Sequence, residues 1–439
     1  MAVDAEVELV IVGAGFAGIY TAIHVERAGL AFKGIEAAAG VGGTWYWNRY
    51  PGARCDVESI DYSFSFDPEL ETEWRWSERY ATQPEILKYL QYVAKRYDVN
   101  KHFTFNEKVT AAHWDPQVEQ WRVTTNSGET IRCRWLIMAT GPLSVPVVPD
   151  IPGRESFEGQ SYLTSEWPKQ PVDFSNKRVA VIGTGSSGIQ VVPEIAKQAQ
   201  HLYVLQRTPN YSVPAFNKPI KDEEWQREQE SLRERRQVSW QSAAGSPWET
   251  FSKNYHALSV EERENALEEA WERGGVLFSK TFDNQMVDPE INEAAIDFFK
   301  KKLAEVVKDP SVREKLTPDY AIGTKRICTD SGYYEVFNRD DVTLVCLQDD
   351  PIEKVEPQGI RTKHNFYDLD AIVYATGFDA MTGALTSIDI RGRDGRSLKD
   401  AWQEGYQTYF GLGVPGFPNL ITLNGPGSPS VFANLALTS

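Results

Sequence analysis

The sequence predicts an α/β fold in which two Rossmann-like dinucleotide-binding domains are accompanied by a helical insertion. Two segments with the pattern Gly-x-Gly-x-x-Gly each follow a short apolar run and precede a helical pattern. Two other apolar runs, at residues 136–141 and 372–377, each end in Ala-Thr-Gly. Between the second glycine-rich loop and the later Ala-Thr-Gly, a charge-rich stretch carries apolar residues at helical spacing.

The first glycine-rich loop follows a predicted strand at residues 7–12, whose near-continuous apolar run is typical of a parallel strand buried on both faces. Gly13 permits the tight turn, Gly15 lets the backbone approach a pyrophosphate, and Gly18 allows the following helix to pack closely on the strand. Phe16 lies in the same loop. Because the N-terminus of the helix would face the anion, these residues are predicted to bind a dinucleotide.

The second strand of this unit is predicted at residues 31–36, and it ends at Glu36. An acid at this position accepts hydrogen bonds from ribose hydroxyls, whereas it would repel a 2′-phosphate. The first site is therefore predicted to bind FAD or NAD rather than NADP. The alternative is a glycine turn without a ligand, which the flanking strand, helix and acid disfavour.

The second glycine-rich loop repeats the pattern after a predicted strand at residues 178–182. Its predicted cofactor-binding residues are Gly183, Thr184, Gly185, Ser186, Ser187 and Gly188. The next predicted strand, at residues 201–206, is followed by Arg207 and Thr208 instead of an acid. Because a cation and a hydroxyl there can bind a 2′-phosphate, we expect NADP at this site. The alternative is a surface arginine at the end of a strand.

Two nucleotide loops with different specificities on one chain indicate a flavoprotein with nested domains. The Ala-Thr-Gly segments resemble those at which two-dinucleotide flavoproteins cross between domains, and residues 419–427 are interpreted as a returning strand and loop against the flavin. The predicted divisions are a first FAD-binding part at 1–145, a first NADP-binding part at 146–214, a helical insertion at 215–318, a second NADP-binding part at 319–369 and a second FAD-binding part at 370–439.

Composition restricts the class of protein further. The net charge is −16, from 46 Lys and Arg against 62 Asp and Glu, and so acidic a surface argues against nucleic acid as a partner.

The four cysteines are too scattered for a disulfide framework, a zinc site or a redox pair, so a disulfide reductase is disfavoured and no metal is expected. A reduced, cytoplasmic compartment is predicted. No secretory signal or membrane span is expected, because the N-terminus is acidic and no uncharged apolar run of about 18 residues occurs.

Residues 42–62, GGTWYWNRYPGARCDVESIDY, closely resemble a segment of the Baeyer–Villiger monooxygenases. Residues 83–87, 183–191, 207–209 and 323–342 share this resemblance, which covers nearly the whole chain. The resemblance implies FAD and NADPH as cofactors, with a ketone and O₂ as substrates. In the family, NADPH reduces the flavin, the reduced flavin captures O₂ as a C4a-peroxide, and the peroxide attacks the ketone to give an ester or lactone.

The resemblance also implies roles for individual residues. Arg326 would be the catalytic cation that stabilises negative charge on the peroxide and on the ketone adduct. Asp56 would hold and orient that guanidinium, and Lys325 would join Arg207 and Thr208 at the 2′-phosphate of NADP. The other cofactor contacts implied within the matching segment are Gly43, Thr44, Trp45, Tyr50 and again Asp56.

Simpler roles stay open for some of these residues. Asp56 and Arg326 can form a structural ion pair, although the family motif surrounds both of them. Trp45 and Trp47 can be aromatic residues of the core.

The sequence departs from the family at one anchor of its fingerprint, Phe-x-Gly-x-x-x-His-x-x-x-Trp. Residues 157–167 match it except that Leu163 replaces the histidine, and leucine can neither donate a hydrogen bond nor carry charge. The resemblance also implies that a C-terminal part is missing, so the FAD domain is expected to be incomplete. Two alternatives therefore stay open: an N- or S-oxygenating flavin monooxygenase, and a degenerate chain that binds FAD and NADPH without turning over ketones.

Overall fold

The structure, a computed structural model, describes residues 3–242, 245–247 and 252–428. Its strands, in chain order, are β1 (Ala5–Val12), β2 (Phe32–Glu36), β3 (Phe103–Phe105), β4 (Val109–Asp115), β5 (Gln120–Thr125), β6 (Thr130–Met138), β7 (Gln160–Leu163), β8 (Arg178–Ile182), β9 (His201–Gln206), β10 (Ser212–Pro214), β11 (Cys328–Asp330), β12 (Val342–Cys346), β13 (Ile352–Glu356), β14 (Gly359–Thr362), β15 (Phe366–Asp368), β16 (Ala371–Tyr374), β17 (Asp389–Arg391) and β18 (Leu420–Thr422).

Several helices begin at a side-chain cap, as at α7, where Ser259 and Glu262 form a reciprocal capping box. They are α1 (Phe16–Arg27), α2 (Thr44–Trp47), α3 (Pro68–Glu73), α4 (Gln83–Arg96), α5 (Ser186–Ala196), α6 (Asp222–Gln241), α7 (Val260–Arg273), α8 (Pro289–Val306), α9 (Pro310–Leu316), α10 (Gly383–Thr386) and α11 (Leu398–Ala401). The charge-rich stretch predicted to be helical contains α6 to α9.

The first sheet has the strand order β17-β4-β5-β6-β1-β2-β3, with β18 also paired to β6. Its centre is parallel, since β1 pairs in parallel with both β2 and β6. The connected strands β4, β5 and β6 form an antiparallel meander that the sequence pattern did not reveal. The returning strand predicted near residue 420 is β18, which lies parallel to the end of β6.

The second sheet has the order β12-β9-β8-β16-β7 and is parallel throughout. Two buried strands predicted from the sequence, at residues 178–182 and 201–206, are β8 and β9. The predicted boundary at residue 370 falls just before β16, which pairs with β8 inside this sheet. A boundary after the second Ala-Thr-Gly would leave the sheet whole. The α/β fold with two Rossmann-like units is confirmed, and the domain limits themselves stay a prediction.

One contiguous apolar core joins the two units and the insertion. Ile11 on β1, Val181 on β8 and Phe299 on α8 all belong to it and are fully buried. Burial of this apolar surface provides most of the favourable free energy of folding. Because the packing is shared, side chains from separate parts of the sequence can be held at the junction between the two nucleotide loops. Within the described ranges, no helix has both the length and the apolar character needed to cross a membrane.

The insertion is fastened to the first unit by two consecutive arginines of α6. Arg235 pairs with Asp61 at 2.6 Å, and Arg236 pairs with Glu71 at 2.7 Å. Arg236 is buried and also donates to the backbone carbonyl of Ile60. Since a buried charge is tolerated only when it is paired, these contacts fix α6 against the segment that follows Asp56.

Candidate functional site

The first glycine-rich loop has no room for larger side chains at two of its glycines. Gly13 has a φ of +104°, and a Cβ there would lie 2.5 Å from the carbonyl oxygen of Ala139. A Cβ on Gly18 would lie 1.9 Å from the carbonyl oxygen of Gly13. Contacts this short are sterically impossible, so both positions require glycine.

The second loop repeats this geometry. Gly183 has a φ of +111°, and a Cβ there would lie 2.4 Å from the carbonyl oxygen of Ala375, while a Cβ on Gly188 would lie 2.0 Å from that of Gly183. Ala139 and Ala375 are the alanines of the two Ala-Thr-Gly segments. Those segments therefore do more than connect domains, because each provides the wall against which a glycine turn closes.

The middle glycine of each loop leaves space for a ligand at a helix N-terminus. Gly15 and Gly185 are the N-caps of α1 and α5, and neither end is capped by a side chain. A Cβ on Gly185 would meet no atom within 4 Å, and one on Gly15 would meet only Gly43, at 3.5 Å or more. Uncapped N–H groups facing open space suit the pyrophosphate of a dinucleotide, so both loops fit such a group.

Glu36 lies at the end of β2, beside the first loop. Its carboxylate accepts hydrogen bonds from the backbone N–H groups of Ala14, at 2.6 Å, and Ala38, at 2.7 Å. Burial raises the pKa of Glu36 above its ordinary value, although both hydrogen bonds oppose that shift. The acid therefore sits next to the loop backbone, where a nucleotide ribose would lie.

Gly43 and Thr44 lie opposite the first loop, and Trp45 beside them is packed inward. Gly43 has a φ of +52°, and a Cβ there would lie 2.8 Å from Cα of Gly15. Thr44 is exposed at the start of α2.

Trp45 is buried, and its Nε1 donates to the hydroxyl of Tyr62 at 3.1 Å. The ring of Phe16 also packs on Tyr62. Trp45 is thus a core residue that lines the site from behind, whereas Trp47 is exposed.

Arg326 and Asp56 form a two-point ion pair. The Nε of Arg326 donates to Oδ2 of Asp56 at 2.6 Å, and Nη2 donates to Oδ1 at 3.0 Å. Burial alone would lower the pKa of Arg326, but the charge and hydrogen bonds of Asp56 outweigh it and raise the pKa above its usual value. Both side chains keep about a quarter of their surface exposed, at 26% and 21%, so a small molecule can reach the pair.

Two thiols flank this ion pair without adding charge to it. Cys55 precedes Asp56 in the chain and Cys328 follows two residues after Arg326, and both are buried. Burial raises the pKa of Cys328 to about 12 and that of Cys55 still higher. Because both thiols stay protonated near neutral pH, the charge at this point is set by the guanidinium and the carboxylate.

Arg207 and Thr208 directly follow β9, and Lys325 lies over the ring of Tyr320, which is hydrogen-bonded to the same segment. Arg207 is exposed and makes no salt bridge with the residues that the structure describes. The Nζ of Lys325 lies 4.7 Å from the ring centroid of Tyr320, whose hydroxyl donates to the carbonyl oxygen of Pro209 at 2.9 Å. The carbonyl oxygen of Thr208 in turn accepts a hydrogen bond from Thr184 of the second loop at 3.0 Å. Two cations are thus held at the strand end beside that loop.

Leu163 is the last residue of β7, at the carboxyl edge of the second sheet. In the parallel pairing with β16 its partner is Tyr374, which directly precedes the second Ala-Thr-Gly. Leu163 is partly buried against the core of this sheet. The fingerprint position is therefore next to the second loop, and an apolar residue there is accommodated by packing.

Two residues of the site were not recognised from the sequence. Tyr320 holds Lys325 beside Thr208, and Gln190, on α5, binds the segment that leads to Asp56. Tyr50 is buried, and its hydroxyl donates to Oε1 of Gln190 at 2.8 Å. Gln190 lies among apolar residues on the buried face of α5, so its polarity was the one available signal. Its partners are more than a hundred residues away in sequence.

Comparison with known proteins identifies the family. Residues 10–260 match the family model described as pyridine nucleotide-disulphide oxidoreductase. A Baeyer–Villiger monooxygenase of Pseudooceanicola batsensis is 42% identical over 99% of this chain and 79% of its own length. An oxidised steroid monooxygenase bound to NADP has a TM-score of 0.95 and 52% identity over 99% of this chain and 83% of its own.

The cofactors of a further relative agree with the two loops. The structure of OTEMO in complex with FAD and NADP has a TM-score of 0.95 and 43% identity, covering 98% of this chain and 83% of its own. The predictions of a flavoprotein monooxygenase fold and of FAD and NADP as cofactors are confirmed at this level of similarity. The chain therefore belongs to the pyridine nucleotide-disulphide oxidoreductase family and to the Baeyer–Villiger monooxygenases, which are NADPH-dependent flavoproteins.

Proposed function

We propose that this chain inserts one oxygen atom of O₂ next to the carbonyl group of a ketone, giving an ester or a lactone, with FAD as its flavin and NADPH as its reductant. The observation that carries the proposal is the two-point pairing of Arg326 with Asp56, at 2.6 and 3.0 Å, in a partly exposed position. Membership of the Baeyer–Villiger monooxygenases supports the same reaction.

The first loop is proposed to hold FAD. The open N-terminus of α1 at Gly15, with Gly43 facing it, suits a pyrophosphate, and Glu36 would accept hydrogen bonds from ribose hydroxyls. Thr44 is exposed toward this space, while Phe16 and Trp45 support it from the core. Bound FAD, once reduced by NADPH, would supply the two electrons that activate O₂ for transfer of one of its oxygen atoms.

The second loop is proposed to hold NADPH. The N–H groups and hydroxyls at Ser186 and Ser187 lie at the uncapped start of α5. Arg207 and Lys325 provide two exposed cations beside Thr208, which matches the two negative charges of a 2′-phosphate. The first unit carries the acid Glu36 at the corresponding strand end, so the two loops are proposed to discriminate between their cofactors by charge.

Arg326 is proposed to act as a fixed cation during oxygen transfer. Attack on a ketone places negative charge on the former carbonyl oxygen, and a guanidinium is permanently charged and offers directed N–H donors. Asp56 holds the plane of the guanidinium at two points, so little reorganisation is needed when the charge develops. Asp56 itself is a positioning residue in this scheme.

The domain organisation of the chain and its cellular compartment are part of the same proposal. The chain is proposed to alternate between FAD-binding and NADP-binding parts as the loops suggest, with α6 to α9 as a helical cover. All four cysteines are free, and with such scattered thiols a disulfide-reducing reaction is not proposed. A reduced cytoplasmic compartment is proposed on the same ground.

The direct test is turnover with a defined ketone. The full chain is purified with FAD, and NADPH consumption, ester formation and hydrogen peroxide are measured with phenylacetone and with cyclohexanone. Ester formed in proportion to NADPH supports the proposal. Oxidation of an added sulfide or amine without any ester would replace it by S- or N-oxygenation. Bound flavin with peroxide as the only product would point to a chain that no longer turns over ketones.

A further inference from the structure

Helix α5 and the segment that leads to Asp56 are joined by one side-chain amide. The Oε1 of Gln190 accepts a hydrogen bond from the hydroxyl of Tyr50 at 2.8 Å, and its Nε2 donates to the carbonyl oxygen of Arg54 at 3.0 Å. Gln190 is 8% exposed, and both halves of its amide are used. Because unpaired amide groups are costly to bury, this geometry specifies how the segment lies on the helix.

Backbone packing and a second anchor restrict the segment further. Gly52 has a φ of +82°, and a Cβ there would lie 2.4 Å from the backbone carbonyl oxygen of Gln190, so the chain touches the helix directly. On its other side, Arg54 donates to Glu78 at 3.2 Å, and the backbone N–H of Cys55 donates to Ala81 at 3.3 Å. Asp56 follows directly after Arg54 and Cys55, which are held from both sides.

The same helix begins at the second glycine-rich loop. Ser187 of that loop and Gln190 are three residues apart, so they lie on neighbouring positions of one helix face. Burial raises the pKa of the Tyr50 phenol to about 12, and Ser187, close to the hydroxyl, partly opposes that rise. Tyr50 and Gln190 therefore connect the loop proposed to hold NADPH with the carboxylate that holds Arg326.

We propose that Gln190 is a positioning residue for the oxygenation step. Its amide sets the register of the segment 50–54 against α5 and thereby fixes Asp56, and through Asp56 the guanidinium of Arg326, relative to the NADP loop. It touches neither the reacting atoms nor the 2′-phosphate site around Arg207. The inference rests on the proposed function, so its test includes a measurement that needs no ketone.

The test compares Gln190→Leu with a matched control, Gln285→Leu. Gln285 is also buried, and its amide also uses both halves, donating to the carbonyl oxygen of Phe278 at 3.0 Å and accepting from the N–H of Phe282 at 3.2 Å, but it lies in the insertion. In the FAD-loaded full chain, Gln190→Leu is expected to lower ester formed per NADPH by about tenfold, with a matching rise in hydrogen peroxide, since small displacements of a catalytic group have large effects. The dissociation constant for NADP⁺ should stay within about twofold.

Hydrogen–deuterium exchange gives the measurement that is independent of turnover. Exchange of the backbone amides at residues 53–57 should be faster in Gln190→Leu and unchanged in Gln285→Leu. Gln190→Glu, which keeps an acceptor for Tyr50 but cannot donate to Arg54, should show an intermediate effect on exchange and on ester yield. It replaces the leucine variant if that protein does not fold.

The outcomes separate this inference from the proposed function. Unchanged exchange at residues 53–57, or an equal loss of ester yield in Gln285→Leu, would overturn the positioning role of Gln190. Faster exchange in Gln190→Leu, in a chain whose wild type makes no ester, would support the positioning of Asp56 and reject the reaction.

Discussion

The guanidinium of Arg326 binds the carboxylate of Asp56 through two hydrogen bonds across 270 residues of sequence. A two-point pairing fixes both the position and the plane of the guanidinium, whereas a single bond would let it swing. The pair is reached from solvent at about a quarter of its surface, so its charge is available to a ligand. This relationship is the basis of the first prediction.

Replacing Arg326 by alanine should abolish ester formation while NADPH oxidation continues with release of hydrogen peroxide. The loops proposed to bind the two cofactors are untouched by the change, but the cation proposed to stabilise the carbonyl oxygen is lost, which is worth about a hundredfold or more in rate. Steady-state NADPH consumption and ester yield are measured together. The control is Arg339→Ala, because Arg339 makes a similar two-point pair with Asp341 on the surface. Retention of ester yield in Arg326→Ala would reject the role assigned to it.

Removing the cation at Arg207 should weaken the binding of NADPH without affecting the binding of NADH. Arg207 is exposed and directly follows β9, so a phosphate bound beside the second loop can reach its charge. Arg207→Ala is expected to raise KM for NADPH by about tenfold, or about 1.4 kcal/mol, and to leave KM for NADH unchanged. The exposed and distant Arg393 provides the control variant Arg393→Ala. An equal rise of KM for both nucleotides would contradict the assignment of the 2′-phosphate site.

The strands that surround the glycine-rich loops were predictable because burial on both faces leaves a distinctive apolar run. The predicted strands 178–182 and 201–206 match β8 and β9 residue for residue, and the first strand begins two residues earlier than expected. The antiparallel pairing of β4 and β5 was not predicted, because half-buried strands such as β4 alternate weakly and resemble loops.

For the site, a family motif could name Arg326 and Asp56, but it could not reveal why they stay in place. Gln190 carries no motif signal of its own, and its contact with Arg54 spans 136 residues. Such contacts depend on how the two sheets pack together, which local sequence does not encode. The wall that Ala375 forms behind Gly183 is likewise visible only in three dimensions.

Two glycines of the second loop should respond differently to alanine. A Cβ on Gly188 would lie 2.0 Å from a backbone oxygen, so Gly188→Ala should destabilise the protein by about 3 kcal/mol or more. A Cβ on Gly185 meets nothing within 4 Å, and its φ of −82° suits alanine, so Gly185→Ala should fold with an unchanged Tm. Its methyl group would project into the space proposed for the pyrophosphate and weaken NADPH binding. Urea unfolding and NADP⁺ titration of both variants check this, and normal NADP⁺ affinity in Gly185→Ala would place the nucleotide elsewhere.

Acid should remove the stabilisation that Glu58 provides. Burial would raise the pKa of Glu58, but the charges of Arg79 and Arg235 outweigh it and hold the pKa below its ordinary value of 4.5. A carboxyl group with a depressed folded-state pKa stabilises the protein above its unfolded pKa, and this contribution is lost as pH falls through the folded value. Glu58→Gln should therefore cost about 3 kcal/mol near neutral pH, and the difference from wild type should shrink below about pH 4.5.

Urea unfolding of the wild type and of Glu58→Gln, in steps from neutral pH to about pH 3, measures that difference. Glu69→Gln is the control, since the Glu69 side chain is 82% exposed and its pairing with Arg96 should contribute little. A Glu58→Gln difference that stays constant across the acid range would show that the carboxylate charge is not what stabilises this contact.

Leu163 stands where the family fingerprint has histidine. Leu163 and Tyr374 are paired on neighbouring strands, and the buried hydroxyl of Tyr374 has no hydrogen-bond partner among the residues described. Leu163→His puts a hydrogen-bonding ring on the same face of the sheet as Tyr374, near the second glycine-rich loop. We expect more ester per NADPH and less peroxide, at a cost in stability of about 1–2 kcal/mol for burying a polar ring.

Product and NADPH measurements on Leu163→His, Tyr374→Phe and the double variant distinguish the contributions. If the histidine acts through the Tyr374 hydroxyl, the gain in coupling should disappear in the double variant, because the two changes are then not additive. If the gain survives without that hydroxyl, the histidine acts on another partner at the carboxyl edge of the sheet. An ester-to-NADPH ratio that Leu163→His leaves unchanged would mean that this chain couples its two substrates without the fingerprint histidine, and that packing of leucine at the end of β7 suffices.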